Sequence, residues 1–221
     1  MDGTGELFAP LVRELGAAIP TRVVRYPDRA MDYAAHEAFA RASLPPDRPF
    51  VVLGESFSGP IAVSIAASAP PGMRGYVLCG SFICSPTPTL KRLGPFAAFF
   101  SPKVMPKAMA ASFLMGRYAT PELRQALAHA LDSVSASALA ARLRAIANVD
   151  VRADAQRIRL PGLYLRATED RLVSESASGI FMAHVANARV VDLAGPHHLL
   201  QTKPAESARE LRRVLDEWCG R

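Results

Sequence analysis

The 221-residue sequence predicts an α/β fold: a mostly parallel central sheet flanked by helices, with a helical lid inserted between two of its strands. Three observations predict it. Short apolar, β-branched runs recur along the chain, separated by Ala-, Leu- and Arg-rich stretches of helical spacing. Those runs are apolar throughout rather than alternating with polar residues, the pattern of strands covered on both faces. One long region then interrupts the alternation. Half of the residues are hydrophobic and 21% are charged, and the length suits a single domain with one good core.

The strand candidates are Val23-Val24, Phe50–Leu53, Tyr76–Leu78, Leu163–Leu165 and Val190-Val191. Helical spacing covers Glu6–Leu15, Met31–Ala42, Gly59–Ala69, Val173–Ala186 and Pro204–Trp218, the last with Pro204 in its first turn and Leu211 and Leu215 on one face. From about Ser85 to about Ala155 no run reads as a strand. This stretch opens on a bend at Pro86 and Pro88, continues through Phe96, Phe99, Phe100, Val104 and Met105, and then shows helical patterns from near Pro121 and near Ser135. The predicted division is a core of residues 1–84 and 156–221 with a lid of residues 85–155; the alternative is that these residues form packing helices on one sheet face.

Composition narrows the function classes. The formal charge is +6, but the basic residues are mostly Arg scattered among Ala and Leu, without a dense run or interleaved aromatics, so no nucleic-acid partner is expected. Cys79, Cys84 and Cys219 form no CxxC pair, and the apolar neighbours of Cys79 and Cys84 mark these as small buried hydrophobes, which favours a reducing compartment. Met1–Gly5 has neither the basic nor the apolar part of a signal peptide, and the expected location is cytoplasmic. The apolar stretch from Gly94 to Met115 is broken by Lys103, Lys107 and three prolines, so no membrane insertion is expected. No metal site, phosphate loop or nucleotide fingerprint is present, and no cofactor is predicted.

The chemistry concentrates at three strand ends. Phe50–Leu53 runs into Gly54-Glu55-Ser56-Phe57-Ser58-Gly59 and then into a helix. A serine on such a turn is held in a strained backbone with its hydroxyl above the sheet edge, and small residues on both sides let strand and helix approach closely. Ser56 is therefore the candidate nucleophile. The N–H of Phe57, at the start of the helix, is a candidate oxyanion donor. A base for Ser56 needs a third group to orient it. Leu163–Leu165 leads to Thr168-Glu169-Asp170 at a strand's carboxyl end, where ligands sit in open α/β sheets; Asp170 is the candidate acid, with Glu169 as the fallback. Val190-Val191 leads through Gly195-Pro196 to His197-His198. His197 is the candidate base and His198 a packing residue, while His36, His129 and His184 lie in helical segments and receive no role.

These residues resemble the α/β-hydrolase superfamily over nearly the whole chain. GESFSG resembles the nucleophile elbow, although Ser58 stands where the second glycine is expected. RATEDRLV resembles the acid loop and AGPHHLLQTKP the histidine loop, where an aromatic commonly follows the base; that supports His197 over His198. The resemblance implies a serine hydrolase acting on a carboxylic ester or thioester of a hydrophobic acyl group through an acyl-enzyme. The same triad serves acyl transfer, haloperoxidase or C–C hydrolase chemistry, and a truncated relative that only binds a ligand is the non-enzymatic alternative. The resemblance departs at the N-terminus, where MDGTGELFAPLVREL looks like the loop and helix after the family's third strand. It implies Met1 or Asp2 as the second oxyanion donor. It also implies that strands expected before this loop are missing. Then either TRVVRYP pairs directly with FVVLG, or Met1 is an internal methionine of a longer protein.

Overall fold

The structure, a computed structural model, describes residues 2–86 and 106–220. Four strands form its sheet: β1 (Phe50–Glu55), β2 (Met73–Cys79), β3 (Gly162–Ala167) and β4 (Ala188–Leu193), in the order β1-β2-β3-β4. Each neighbouring pair is parallel, with Leu53 beside Val77, Leu78 beside Tyr164 and Leu165 beside Val191. Because side chains alternate across a strand, each apolar run feeds two faces at once. Val52, Tyr76, Leu78, Tyr164 and Val190 join one cluster with Ile61, Ile65 and Phe181. Val51, Leu53, Val77, Leu163, Leu165 and Val191 join the other, with Leu11, Leu211 and Val214. This two-sided burial explains why the runs lack polar alternation.

The helices follow from their caps and their apolar stripes. On the first face lie α2 (Tyr33–Arg41), whose N-terminus is closed by Asp32 Oδ1 accepting from the Ala35 N–H at 2.8 Å, and α3 (Gly59–Ala67). On the second lie α1 (Ala9–Leu15) and, after the other helices, α10 (Pro204–Cys219), which opens on Pro204 and ends at Gly220 in the left-handed region, φ 66°. Between β2 and β3 the described residues form four helices: α4 (Lys107–Met115), α5 (Pro121–Asp132), α6 (Ala136–Asn148) and α7 (Arg152–Arg157). Thr120 and Ser135 cap α5 and α6, at the two places where the sequence pattern begins. α4 and α5 share a cluster with Leu7 (Met115, Leu127, Leu131), while α7 sends Ala155 into the first face and Asp154 accepts from Ser64 of α3 at 2.8 Å. α8 (Ser176–His184) links β3 to β4, and the short α9 (Leu199–Thr202) precedes α10. The phenylalanine-rich stretch of residues 96–100 lies outside the described residues.

One expectation fails. Val23-Val24 is not a strand: residues 20–26 carry no ladder, and β1 is the edge of the sheet among the described residues. Direct pairing of TRVVRYP with FVVLG is therefore not what closes this side. β-branched composition favours a pleated conformation, but a strand exists only where a partner offers its hydrogen bonds. No helix among the described residues is long and apolar enough to cross a membrane.

Candidate active site

The sheet's carboxyl edge gathers three residues far apart in sequence. β1 ends at Glu55, and Ser56 turns the chain with φ 50°, a conformation rare outside glycine. Two close approaches make the turn possible. A Cβ on Gly54 would lie 2.5 Å from the Ser58 carbonyl oxygen, and one on Gly59 would lie 1.7 Å from Ser81 Oγ. Gly59, rather than position 58, thus carries the small-residue requirement on the helix side, and Ser58 is tolerated. The Ser81 hydroxyl donates to the Ser56 carbonyl at 2.7 Å, and Ser81 is itself held by the Tyr164 hydroxyl, which donates to its carbonyl at 2.6 Å.

His197 connects this turn to the acid. Its Nε2 lies 2.9 Å from Ser56 Oγ and its Nδ1 2.8 Å from Asp170 Oδ2. The His197 and Asp170 side chains are only 3% and 5% exposed, so water barely competes for this pair. The second carboxylate oxygen, Oδ1, accepts from the Leu172 and Val173 N–H groups at 2.8 and 2.9 Å, which fixes the carboxylate plane. Gly80, with φ 48°, faces this pair: a Cβ there would come within 3.2 Å of Asp170 Oδ2.

The neighbouring candidates make other contacts. Glu169 points away, accepting from the Tyr118 hydroxyl at 2.7 Å and from Arg117 at 2.9 Å. The His198 amide donates to the Leu114 carbonyl at 2.8 Å. Burial, aided by the charge of His197, pulls the His198 pKa down to about 3, so its ring stays neutral. His36 is fully buried and packs edge-on to Phe57, while His129 and His184 lie in α5 and α8.

Phe57 is 1% exposed and stacks on Tyr33 at 4.7 Å between ring centroids; the Tyr33 hydroxyl donates to its carbonyl at 3.1 Å. This holds its backbone amide at the start of α3, next to Ser56. Of the other oxyanion candidates, Met1 lies outside the described residues. Asp2 sits nearby: Arg142 of α6, 1% exposed, donates to its carbonyl at 2.6 Å and to the Pro27 carbonyl at 3.2 Å, and its carboxylate accepts from the Thr4 hydroxyl at 2.6 Å.

A buried carboxylic acid directly precedes Ser56. Glu55 accepts from Gln201 Nε2 at 2.9 Å through Oε2, whereas its buried Oε1 has no hydrogen-bond partner among the described residues. Burial pushes its pKa up to about 7, against the opposing pull of Gln201. The supporting residues Ser81, Tyr164, Tyr33, Arg142 and Gly80 escape a reading of the sequence, since their roles depend on contacts across tens of residues. Only Gly80 leaves a signal, as the glycine ending the apolar run of β2.

A Ser–His–Asp relay at the carboxyl edge of a parallel sheet defines the class of α/β-hydrolases. Residues 19–202 match the family described as serine aminopeptidase, S33, and the chain belongs to that α/β-hydrolase family. Solved structures agree in fold. A hydrolase from Pseudomonas aeruginosa superposes with a TM-score of 0.75 at 20% identity, covering 97% of this chain and 86% of its own. A thermophilic esterase from Thermogutta terrifontis gives 0.78 at 14% identity, covering 97% and 86%. An enol-lactonase from Burkholderia xenovorans gives 0.70 at 18% identity, covering 100% and 88%. No curated protein sequence matches the chain.

Proposed function

We propose that the protein is a serine hydrolase that cleaves a carboxylic ester or thioester of a hydrophobic acyl group through an acyl-enzyme. The observation that carries this reading is the unbroken relay of 2.9 and 2.8 Å from Ser56 through His197 to Asp170. Ser56 Oγ attacks the substrate carbonyl as His197 Nε2 takes its proton, and Asp170 holds the Nδ1–H and stabilises the imidazolium. The Phe57 N–H stabilises the oxyanion, with Asp2 or Met1 as the second donor. Collapse expels the alcohol or thiol, protonated by His197, and leaves the acyl group on Ser56. Water, deprotonated by the same nitrogen, then releases the acid. The esterase and enol-lactonase among the structural neighbours support ester chemistry. The apolar stretch from Gly94 to Met115, with Met109 and Phe113 of α4 exposed, supports a hydrophobic acyl chain beneath a lid of residues 85–155.

A fluorophosphonate probe tests the reading. Labelling of the wild type at Ser56, absent in Ser56→Ala, together with burst release of p-nitrophenol from p-nitrophenyl butyrate, is the expected result. A folded wild type that takes up no label overturns it and favours a ligand-binding relative. Faster turnover of alanine p-nitroanilide than of the ester moves the substrate class to amides. Product diverted to an added alcohol in preference to water identifies an acyltransferase.

A further inference from the structure

Arg142 of α6 is 1% exposed, and a guanidinium so deeply buried is costly unless its donors find acceptors. Its acceptors come from three separate segments. Arg142 donates through Nη1 to the Asp2 carbonyl at 2.6 Å, through Nη2 to the Pro27 carbonyl at 3.2 Å and, more loosely, through Nε to His36 Nε2 at 3.4 Å. The third contact sets the tautomer of His36. Its Nδ1 carries the ring proton and donates to the Asp32 carbonyl at 2.6 Å, which leaves Nε2 to accept. Burial, reinforced by the charge of Arg142, holds the His36 pKa below its usual value and keeps the ring neutral.

Two of these contacts lead to the proposed oxyanion donors. His36 packs edge-on to Phe57, with 5.0 Å between ring centroids, and so helps to fix the residue whose N–H is the first donor. Asp2 is held directly, and the chain beside it has no room to shift: a Cβ on Gly3, at φ 75°, would lie 2.9 Å from both terminal nitrogens of the guanidinium. Residues 26–28 complete the brace. The Tyr26 N–H donates to the Gly3 carbonyl at 2.9 Å, and Asp28 Oδ1 accepts from the N–H and the hydroxyl of Ser135, each at 2.8 Å, where α6 begins. α6 thus grips the same loops at Ser135 and again about two turns later at Arg142. Asp2 acts electrostatically on both Glu55 and His198, which puts the braced loop beside the relay. Stability alone is a poor account of this arrangement, because well-packed apolar side chains often match or exceed a buried charge. What a guanidinium adds is direction, a rigid fork of donors at fixed angles.

We propose that Arg142 is the positioning residue of the oxyanion site: a single guanidinium, supplied by the region between β2 and β3, that braces the backbone at Asp2 directly and at Phe57 through His36. The inference rests on the serine hydrolase reading and deepens it, since α6 then helps to assemble the catalytic site as well as to cover it. Without the brace the donors drift from the place where negative charge develops. Such drift weakens the transition state and spares the affinity for substrate.

The test is steady-state hydrolysis of p-nitrophenyl butyrate together with inhibition by propyl trifluoromethyl ketone. Ser56 adds to this ketone as His197 takes its proton, which leaves an oxyanion in the same hole. Arg142→Met, of similar reach but uncharged, is expected to lose about a hundredfold in kcat, the scale of one oxyanion donor, with KM within about threefold of wild type. Arg142→Lys keeps the charge without the fork and is expected to lose about tenfold. In each variant the ketone should weaken by the same factor as kcat/KM. If Arg142→Met fails to unfold cooperatively, Arg142→Lys decides. A folded variant that keeps more than about a third of wild-type kcat overturns the proposal. So does a loss of kcat with ketone inhibition unchanged, which marks a structural role. A rise in KM that accounts for the whole loss of kcat/KM places Arg142 in substrate binding and likewise overturns it. A wild type that takes up no fluorophosphonate removes the hydrolase reading and this proposal with it, whereas a labelled wild type with any of the preceding outcomes removes this proposal alone.

Discussion

Replacing Asp170 by Asn removes one charge and leaves the size of the side chain unchanged, yet the structure makes its effect severe. The carboxylate uses both oxygens: Oδ1 takes two backbone N–H groups, of Leu172 and Val173, and Oδ2 faces His197 Nδ1 at 2.8 Å. An asparagine has one acceptor oxygen and one NH2 donor group to fill these places. Two backbone donors outweigh one, so the amide oxygen takes the Oδ1 position and its NH2 points at His197. The ring must then present an unprotonated Nδ1 and carry its proton on Nε2, facing Ser56 Oγ. In that tautomer it cannot accept the serine proton. A comparable substitution in a serine protease costs about 10⁴ in kcat, which corresponds to roughly 5 kcal/mol of barrier. Asp170→Asn is expected to lose about that factor in kcat for p-nitrophenyl butyrate, with KM nearly unchanged and with a cooperative thermal transition. A folded variant retaining a tenth or more of wild-type kcat would refute the assignment of Asp170 and the reasoning from its two amide donors.

Other perturbations separate the neighbours of this relay from its members. Glu169→Gln disrupts a pair whose side chains are 74% and 37% exposed, so stability should change by less than about 1 kcal/mol and kcat by less than twofold, by thermal scan and steady-state kinetics. Gly59→Ala puts a methyl 1.7 Å from Ser81 Oγ, and the forced shift of α3 should cost about 3 kcal/mol in urea unfolding and most of the fluorophosphonate reactivity. Glu55 titrates near 7 when folded and near 4.5 when unfolded, so between these values the folded state holds the extra proton and stability falls as pH rises. Denaturation midpoints measured from pH 4.5 to 7.5 should show this slope in the wild type and lose it in Glu55→Gln, where the side chain stays neutral.

Much of the fold is legible in the sequence because burial on two faces leaves an unbroken apolar run. β1, β2, β3 and β4 all lie on runs of this kind, and the helical patterns begin near Pro121 and Ser135, where α5 and α6 start. The relay is legible for a related reason: Ser56, Asp170 and His197 each stand just past the carboxyl end of such a run. What the sequence leaves open is direction. Asp170 and Glu169 are adjacent and alike, and only the turn that offers Leu172 and Val173 N–H groups selects between them. His198 differs from His197 by the tie of its amide to Leu114, which no local pattern encodes. TRVVRYP misleads because a strand is a property of a pair, and composition reports on one member only.

The backbone at Ser56 places the seat of reactivity and the seat of stability in opposition. A side chain held at φ 50° costs of order 1–3 kcal/mol relative to a relaxed conformation, a cost that glycine escapes. Across every position of this turn, selection for persistence alone would choose glycine at 56. Relief of this strain at position 56 is thus open only to a form that has given up the proposed nucleophile, and the strain retained measures what the proposed chemistry demands of the fold.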